Sequence, residues 1–362
     1  LDNEDDAYLI FETLNTRGKD LSLTDLVKNH FSKHLKARGA VDHARLKWQN
    51  MLETIHNSSA DISSDNFIYH FWASRYEAVP LKKLFPKIKK QITKTKANDY
   101  LSDLLSDSRI YRSIYEKGFG WGKNEIAVSR SLAAMQLFKL SQPIPAALSL
   151  IRAYRDQKIK YPKLKSALRA IEKFHFIFTA ITSSRSSGGI SAMYSSFAIR
   201  LFESPDSQTA ANEIKVLTDK LYSKLPSLDE FKVAFKEVIY TNSNSKQKNL
   251  VRYILRKFAE HYSYKFPVDY DDLTIEHIHP QSKIGGQWQE EIVGCLGNLL
   301  LLDEEMNGIL DSKDFQDKKK ALLEKGYTLP SFIQTISEWT PEAVIQHTDL
   351  LAETAYNQIW KI

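Results

Sequence analysis

The chain of 362 residues has a single cysteine, Cys295, and neither an internal repeat nor a long strand pattern. One thiol can neither close an intrachain disulfide nor build a thiolate zinc ribbon, and it fits a reducing, cytoplasmic location. No run approaches the roughly 18 uncharged apolar residues of a membrane helix, so no membrane partner is expected. There is no arginine after residue 270. The first residues lack a signal or transit peptide: Leu1 is followed by an acidic run, Asp2, Glu4, Asp5 and Asp6, and the natural start is expected upstream. With 43% apolar and 26% charged residues, the composition is that of a globular protein and excludes a disordered tail or a collagen-like fibre. The length gives room for two or three domains.

Charge is unevenly spread. Residues 271–362 hold 7 Lys against 16 acids, a net of −9, and the whole chain is +6, so residues 1–270 carry +15. A basic body suits a polyanion such as DNA, with solvated helix faces as the plain alternative. The run Lys82, Lys83, Lys87, Lys89, Lys90, Lys94 and Lys96 contains no acid. Lys246, Lys248, Arg252, Arg256 and Lys257 form a second basic stretch, and Lys318 and Lys319 a third. Each is a candidate for phosphate contact or a solvated face.

Periodicity predicts helices nearly throughout. Residues 5–14 read as one helix and Asn15–Gly18 as a turn, and Ser22 is placed to cap a second helix through Leu26, Val27, Phe31 and Leu35. Leu164, Leu168, Ile171, Phe174, Phe178 and Ile181 form a buried helical stripe. Leu132, Met135 and Phe138 begin a helix expected to end at Pro143 and Pro145. Residues 183–189 and 241–248 read as polar breaks. After Pro267 the texture changes. Leu273–Pro280 is a β-like run stopped by proline, Leu299–Leu302 a second, Asp303–Asn307 a turn, and a helix follows from about Ser312 with Phe315, Ala321 and Leu322 on one side. Strand, loop, strand and helix in some 50 residues outline a ββα unit within a mainly α protein.

That unit carries the residue types that phosphodiester hydrolysis needs. A histidine of near-neutral pKa, His277, suits deprotonation of water. A carboxylate, Glu276, and an amide oxygen, from Asn307, suit a hard cation such as Mg²⁺. Adjacent residues of a strand leave opposite faces, so Glu276 and His277 can serve separate tasks. Asn298 is placed to brace the loop between the strands. His279 would leave the same face as His277 and is a possible accessory group. Cys295, just before Gly297-Asn298, reads as core.

The segments EHIHPQS and GNLLLLDEEMN resemble an HNH nuclease of the ββα-metal type, including the module of that type in RNA-guided CRISPR nucleases. IEHIHPQS, LGNLLLLDEEMN, Phe315 with Lys318-Lys319, and the closing EWTPEAVIQHTDLLAETAYNQIW resemble the C-terminal nuclease domain of GmrSD-type restriction endonucleases. At the other end, YLIFETLNTRGKDLSLTDLVKNHF resembles the tail of the ParB/sulfiredoxin-like domain that precedes the nuclease in that family. The departures are His279 in place of an apolar residue, His347 in place of Arg, and Asn307 where some relatives have His.

The resemblance implies a helical-bundle body with a small ββα-metal (HNH) module near the C-terminus. It assigns residues 1–40 to the remnant of the upstream domain, 41–240 to a helical domain, and 241–362 to the nuclease domain, with its ββα core at about 270–325 and a closing helix. It implies Glu276 and Asn307 as ligands of one Mg²⁺ (or Mn²⁺), His277 as general base and Asn298 as the structural member of the catalytic group. The family's DGQQR motif does not occur, so no nucleotide site is expected in this chain, and a nucleotide-hydrolysing domain is the implied upstream partner. The activity implied is DNA cleavage or nicking in an anti-phage restriction system acting on modified DNA, with homo-oligomerisation one route to cutting both strands. A DNA-binding module with a degenerate HNH fold is the alternative.

Overall fold

The structure is a computed structural model that describes residues 21–35, 42–184, 189–264 and 272–362. The expected helix at 5–14, the turn at Asn15–Gly18 and most of the loop at 183–189 lie outside these residues. The fold is predominantly helical, with a two-stranded antiparallel sheet toward the C-terminus. It divides into two compact units. One comprises Leu1–Gln136, Leu140–Arg169 and Ser186–Leu217, the other Leu137–Lys139, Ala170–Arg185 and Thr218–Ile362. Among the described residues, no helix is long and apolar enough to cross a membrane.

The first unit is a helical bundle. Helices Leu23–His34, His43–His56, Ser64–Ala73, Ala97–Tyr115 and Ile144–Arg155 bury Val27, Met51, Phe67, Leu104 and Leu148. Ser22 caps the first, accepting from the Asp25 N–H at 3.1 Å. Charges also enter this core. Arg152 Nε donates to both oxygens of Asp107, at 3.1 and 3.2 Å, and Arg75 Nη2 reaches the same carboxylate at 3.3 Å. As expected, one helix, Ile126–Leu137, ends before the prolines and the next, Ile144–Arg155, follows them: Pro143 is its N-cap and Pro145 lies in its first turn. A first-turn proline lacks only an N–H that would have no partner in the helix.

In the second unit, β1 (Thr274–His277) pairs with β2 (Leu299–Leu302), with Glu276 opposite Leu300 and His277 opposite Leu299. β1 ends at His277, and Ile278–His279 already bend away before Pro280. Asp303–Asn307 is not a turn. Asp303 caps a helix, Glu304–Leu310, by accepting from the Met306 N–H at 2.9 Å, and Asn307 sits within it. Helix Phe315–Glu324 follows. The closing helix Pro341–Thr354 is capped by Thr340. Ile278, Leu302, Met306, Leu310, Leu322, Trp339 and Val344 form the core beneath the hairpin. A segment before the hairpin joins it through a bridge between Ile239 and Cys295 and a 2.8 Å bond from the Tyr240 N–H to the Gly294 carbonyl.

Candidate active site

Strand alternation puts Thr274 and Glu276 on one face of β1 and His277 on the other. On the first face, Asn307 Nδ2 donates to Thr274 Oγ1 at 2.9 Å, which sets the Asn307 amide on the side of the strand that carries Glu276. The Glu276 carboxylate is buried, 7% exposed, and accepts from the ammonium of Lys318. Lys318, 2% exposed, also donates to the His277 carbonyl at 2.8 Å. Burial pushes the Glu276 carboxyl up, and Lys318 opposes this. Burial pushes the Lys318 ammonium down, and Glu276 opposes that.

On the other face, His277 Nε2 lies 2.8 Å from the Tyr240 carbonyl. A carbonyl only accepts, so the proton sits on Nε2 and Nδ1 keeps its lone pair. Gln281 Nε2 approaches Nδ1 at 3.3 Å, while Gln281 Oε1 accepts from the Asn242 N–H at 2.7 Å, which fixes the orientation of that amide. Burial holds His277 at about 4, with the Tyr240 carbonyl opposing, so the ring is neutral at pH 7.

Asn298 is fully buried and its amide is saturated. Its oxygen accepts from the His279 N–H at 2.8 Å and Trp339 Nε1 at 2.9 Å, and its nitrogen donates to the carbonyls of Val293 at 2.7 Å and His279 at 3.1 Å. It therefore clamps the chain just past β1. The His279 ring stacks on Trp288, with centroids 3.6 Å apart, and its Nε2 lies 3.2 Å from the Lys283 carbonyl. Because the strand ends at His277, alternation no longer directs His279, and it does not share the His277 environment.

The basic candidates separate. Lys318 is internal, and Lys319 donates to the carbonyls of Gln334 at 2.6 Å and Ile336 at 3.0 Å. Lys246 and Lys248 are exposed and Arg252 is half-buried. The Lys248 ammonium lies 5.8 Å from the centre of the Tyr240 ring. Sequence reading missed the roles of Tyr240, Gln281, Trp339 and Lys318. For Lys318 a signal exists: it falls three residues after Phe315 and four before Leu322, on the buried side of its helix.

Residues 225–354 match the family model of the GmrSD restriction endonucleases, C-terminal domain. The match bears out the resemblance read from IEHIHPQS and LGNLLLLDEEMN. The GmrSD C-terminal domain match takes in Tyr240, Glu276, His277, Gln281, Asn298, Asn307, Lys318 and Trp339. This part of the chain thus falls in a restriction-endonuclease family. No curated protein matches the chain. Among the described residues, no group of three or more His, Cys, Asp or Glu side chains could hold a metal ion.

Proposed function

We propose that this chain is the nuclease part of a restriction system: a metal-dependent DNA endonuclease or nickase that hydrolyses phosphodiester bonds of modified DNA in defence against phage. The observation that carries this reading is the state of His277. It is neutral, its tautomer is held by the Tyr240 carbonyl, and its Nδ1 lone pair has only a 3.3 Å amide partner. That is the form a general base must have.

The residues fit a hard cation. Lys318 binds Glu276 through Oε1, and Asn307, tied to Thr274 through its nitrogen, keeps its oxygen for a ligand. Two oxygen donors suit Mg²⁺ or Mn²⁺ with water and substrate phosphate completing the shell. Such a cation would neutralise the scissile phosphate and the departing 3′ oxygen. His277 takes the proton of the attacking water at Nδ1, and Gln281 must share or yield that position. The imidazolium so formed keeps its Nε2–H on the Tyr240 carbonyl, and the nearby phosphate charge raises the low basicity of the buried ring. Asn298 holds the bend after His277 and so aims the strand end.

One such site cuts one strand, so double-strand cleavage requires a second copy or a second event. The upstream nucleotide-hydrolysing domain is the partner this reading supplies. The Lys318–Glu276 pair favours a second reading, a DNA-binding module without catalysis, because the carboxylate is already neutralised. A plasmid nicking assay with Mg²⁺ or Mn²⁺, on modified and unmodified DNA, separates the two. His277→Ala is expected to lose roughly 10² to 10⁴ in rate, and His279→Ala to retain most activity. A dead His279→Ala beside an active His277→Ala would mean that the wrong histidine has been assigned.

A further inference from the structure

A chain that cuts DNA must hold a polyanion, and the part that carries the candidate site is ill suited to do so. Residues 271–362 are net −9, and most of their lysines already have a partner within the chain, inside the fold or at its surface. Lys318 is on Glu276, Lys319 on two carbonyls, Lys283 on Asp314, Lys313 on the Ile309 carbonyl and Lys320 on Glu324.

The opposite situation holds at residues 81–96 in the first unit. The helix Leu84–Gln91 and its continuation bury Leu84, Ile88 and Ile92, four residues apart, so that side faces the core. All seven lysines of the run are exposed. Lys87 pairs with Glu77 at 3.1 Å. The side-chain ammonium groups of Lys82, Lys83, Lys90, Lys94 and Lys96 have no ion-pair or hydrogen-bond partner among the described residues. The positive surface extends onto helix Leu23–His34, joined here by His30 Nε2 at 2.8 Å from the Ile92 carbonyl. The His34 ring lies beside His30, with centroids 4.5 Å apart, and His30 is pushed down chiefly by burial, with Lys89 and Lys33 acting in the same direction.

We infer that this face, centred on Lys82, Lys83, Lys90, Lys94 and Lys96, is the surface by which the chain grips the phosphate backbone of duplex DNA. The inference rests on the nuclease reading for its choice of polyanion. Lysines act here as mobile point charges that recognise phosphate without reading sequence. Recognition of a DNA modification must then lie elsewhere.

The test uses the full chain in EDTA, so that binding is measured without cleavage. The affinity for a 30-base-pair duplex is followed by fluorescence anisotropy across salt. The variant replaces Lys82, Lys83, Lys90, Lys94 and Lys96 with Gln. A control replaces five other exposed lysines, Lys160, Lys163, Lys220, Lys224 and Lys325, with Gln, for the same change in net charge. Each lost phosphate contact removes about 0.9 from the slope of log K against log salt. The patch variant is expected to lose about 3 or more from the slope and at least about tenfold in affinity, and the control to stay near the parent. An unchanged slope, an equal loss in the control, or a parent chain that does not bind duplex at low salt would overturn the assignment. So would a patch that governs binding to phosphatidylserine vesicles and not to DNA. A parent that binds through this face but never nicks DNA with Mg²⁺ would sink the nuclease reading and leave this one standing.

Discussion

At Glu276 two demands meet in one carboxylate. It is buried, which penalises its charge, and Lys318 meets that penalty with an ammonium that also ties the His277 carbonyl. Removing one partner of a buried pair leaves the other uncompensated, at a cost of about 3–5 kcal/mol. Lys318→Met is therefore expected to lose about that much stability in urea unfolding, and Glu276→Gln with Lys318→Met to recover much of it. Millimolar Mg²⁺ should raise the midpoint of the single variant and not of the double one, since only the former keeps a bare carboxylate. Equal midpoints for the two variants would show that the pair is not what holds this site. The sequence makes Glu276 and His277 stand out through their motif, but it leaves Lys318 among the surface candidates. A lysine run reads as solvated, and only the spacing to Phe315 and Leu322 puts its first member inside.

Between elements, contact depends on small residues that a motif does not explain. A Cβ on Gly297 would lie 2.5 Å from the Val344 carbonyl and 2.3 Å from Thr348 Oγ1, because the closing helix passes directly over it. Thr348 Oγ1 also receives the Gly297 N–H at 3.2 Å, and His347 Nδ1 lies 2.7 Å from the Gly297 carbonyl. Backbone cannot retreat cheaply, so Gly297→Ala is expected to cost about 1–3 kcal/mol, the range of an overpacked core. Gly308, inside helix Glu304–Leu310 with nothing near its missing Cβ, is the contrast. Gly308→Ala should gain about 0.4–1 kcal/mol through the unfolded chain. Denaturation of both variants checks the pair, and a harmless Gly297→Ala would contradict this packing. Element types were legible where periodicity is strong, as at Ser22, the hairpin and helix Phe315–Glu324. They were not where cues compete. Asp303–Asn307 reads as a turn until the Asp303 cap is counted. In the stripe from Leu164, a π-helical turn at Phe176–Ile181 brings Phe176 and Ile177 inside and leaves Phe178 half-buried.

Across the whole chain, buried imidazoles set an acid limit on stability. His70 in the first unit is held down to about 4 by burial, and in the second unit burial holds His277 and His347 at about 4 and His175 at about 3. An unfolded histidine titrates near 6.5. Above that value both states are neutral at these positions and they add no pH dependence. Between about 6.5 and 4 the unfolded chain takes up protons that the fold refuses, so stability falls as the pH falls. Each such group adds a slope of about 1.4 kcal/mol per pH unit in that window. Carboxylates held low, such as Glu116 at about 2 beside Arg112, lose their contribution only below their ordinary range. The loss of stability should thus begin near pH 6.5, well above the onset that carboxylates alone would give. Urea midpoints at pH 7.5, 6 and 5 measure it, and His70→Gln should flatten the slope of the transition that reports on the first unit. A midpoint that is level from 7.5 to 5 would mean that these rings take up protons within the fold. Neutral His277 could then not be credited to burial.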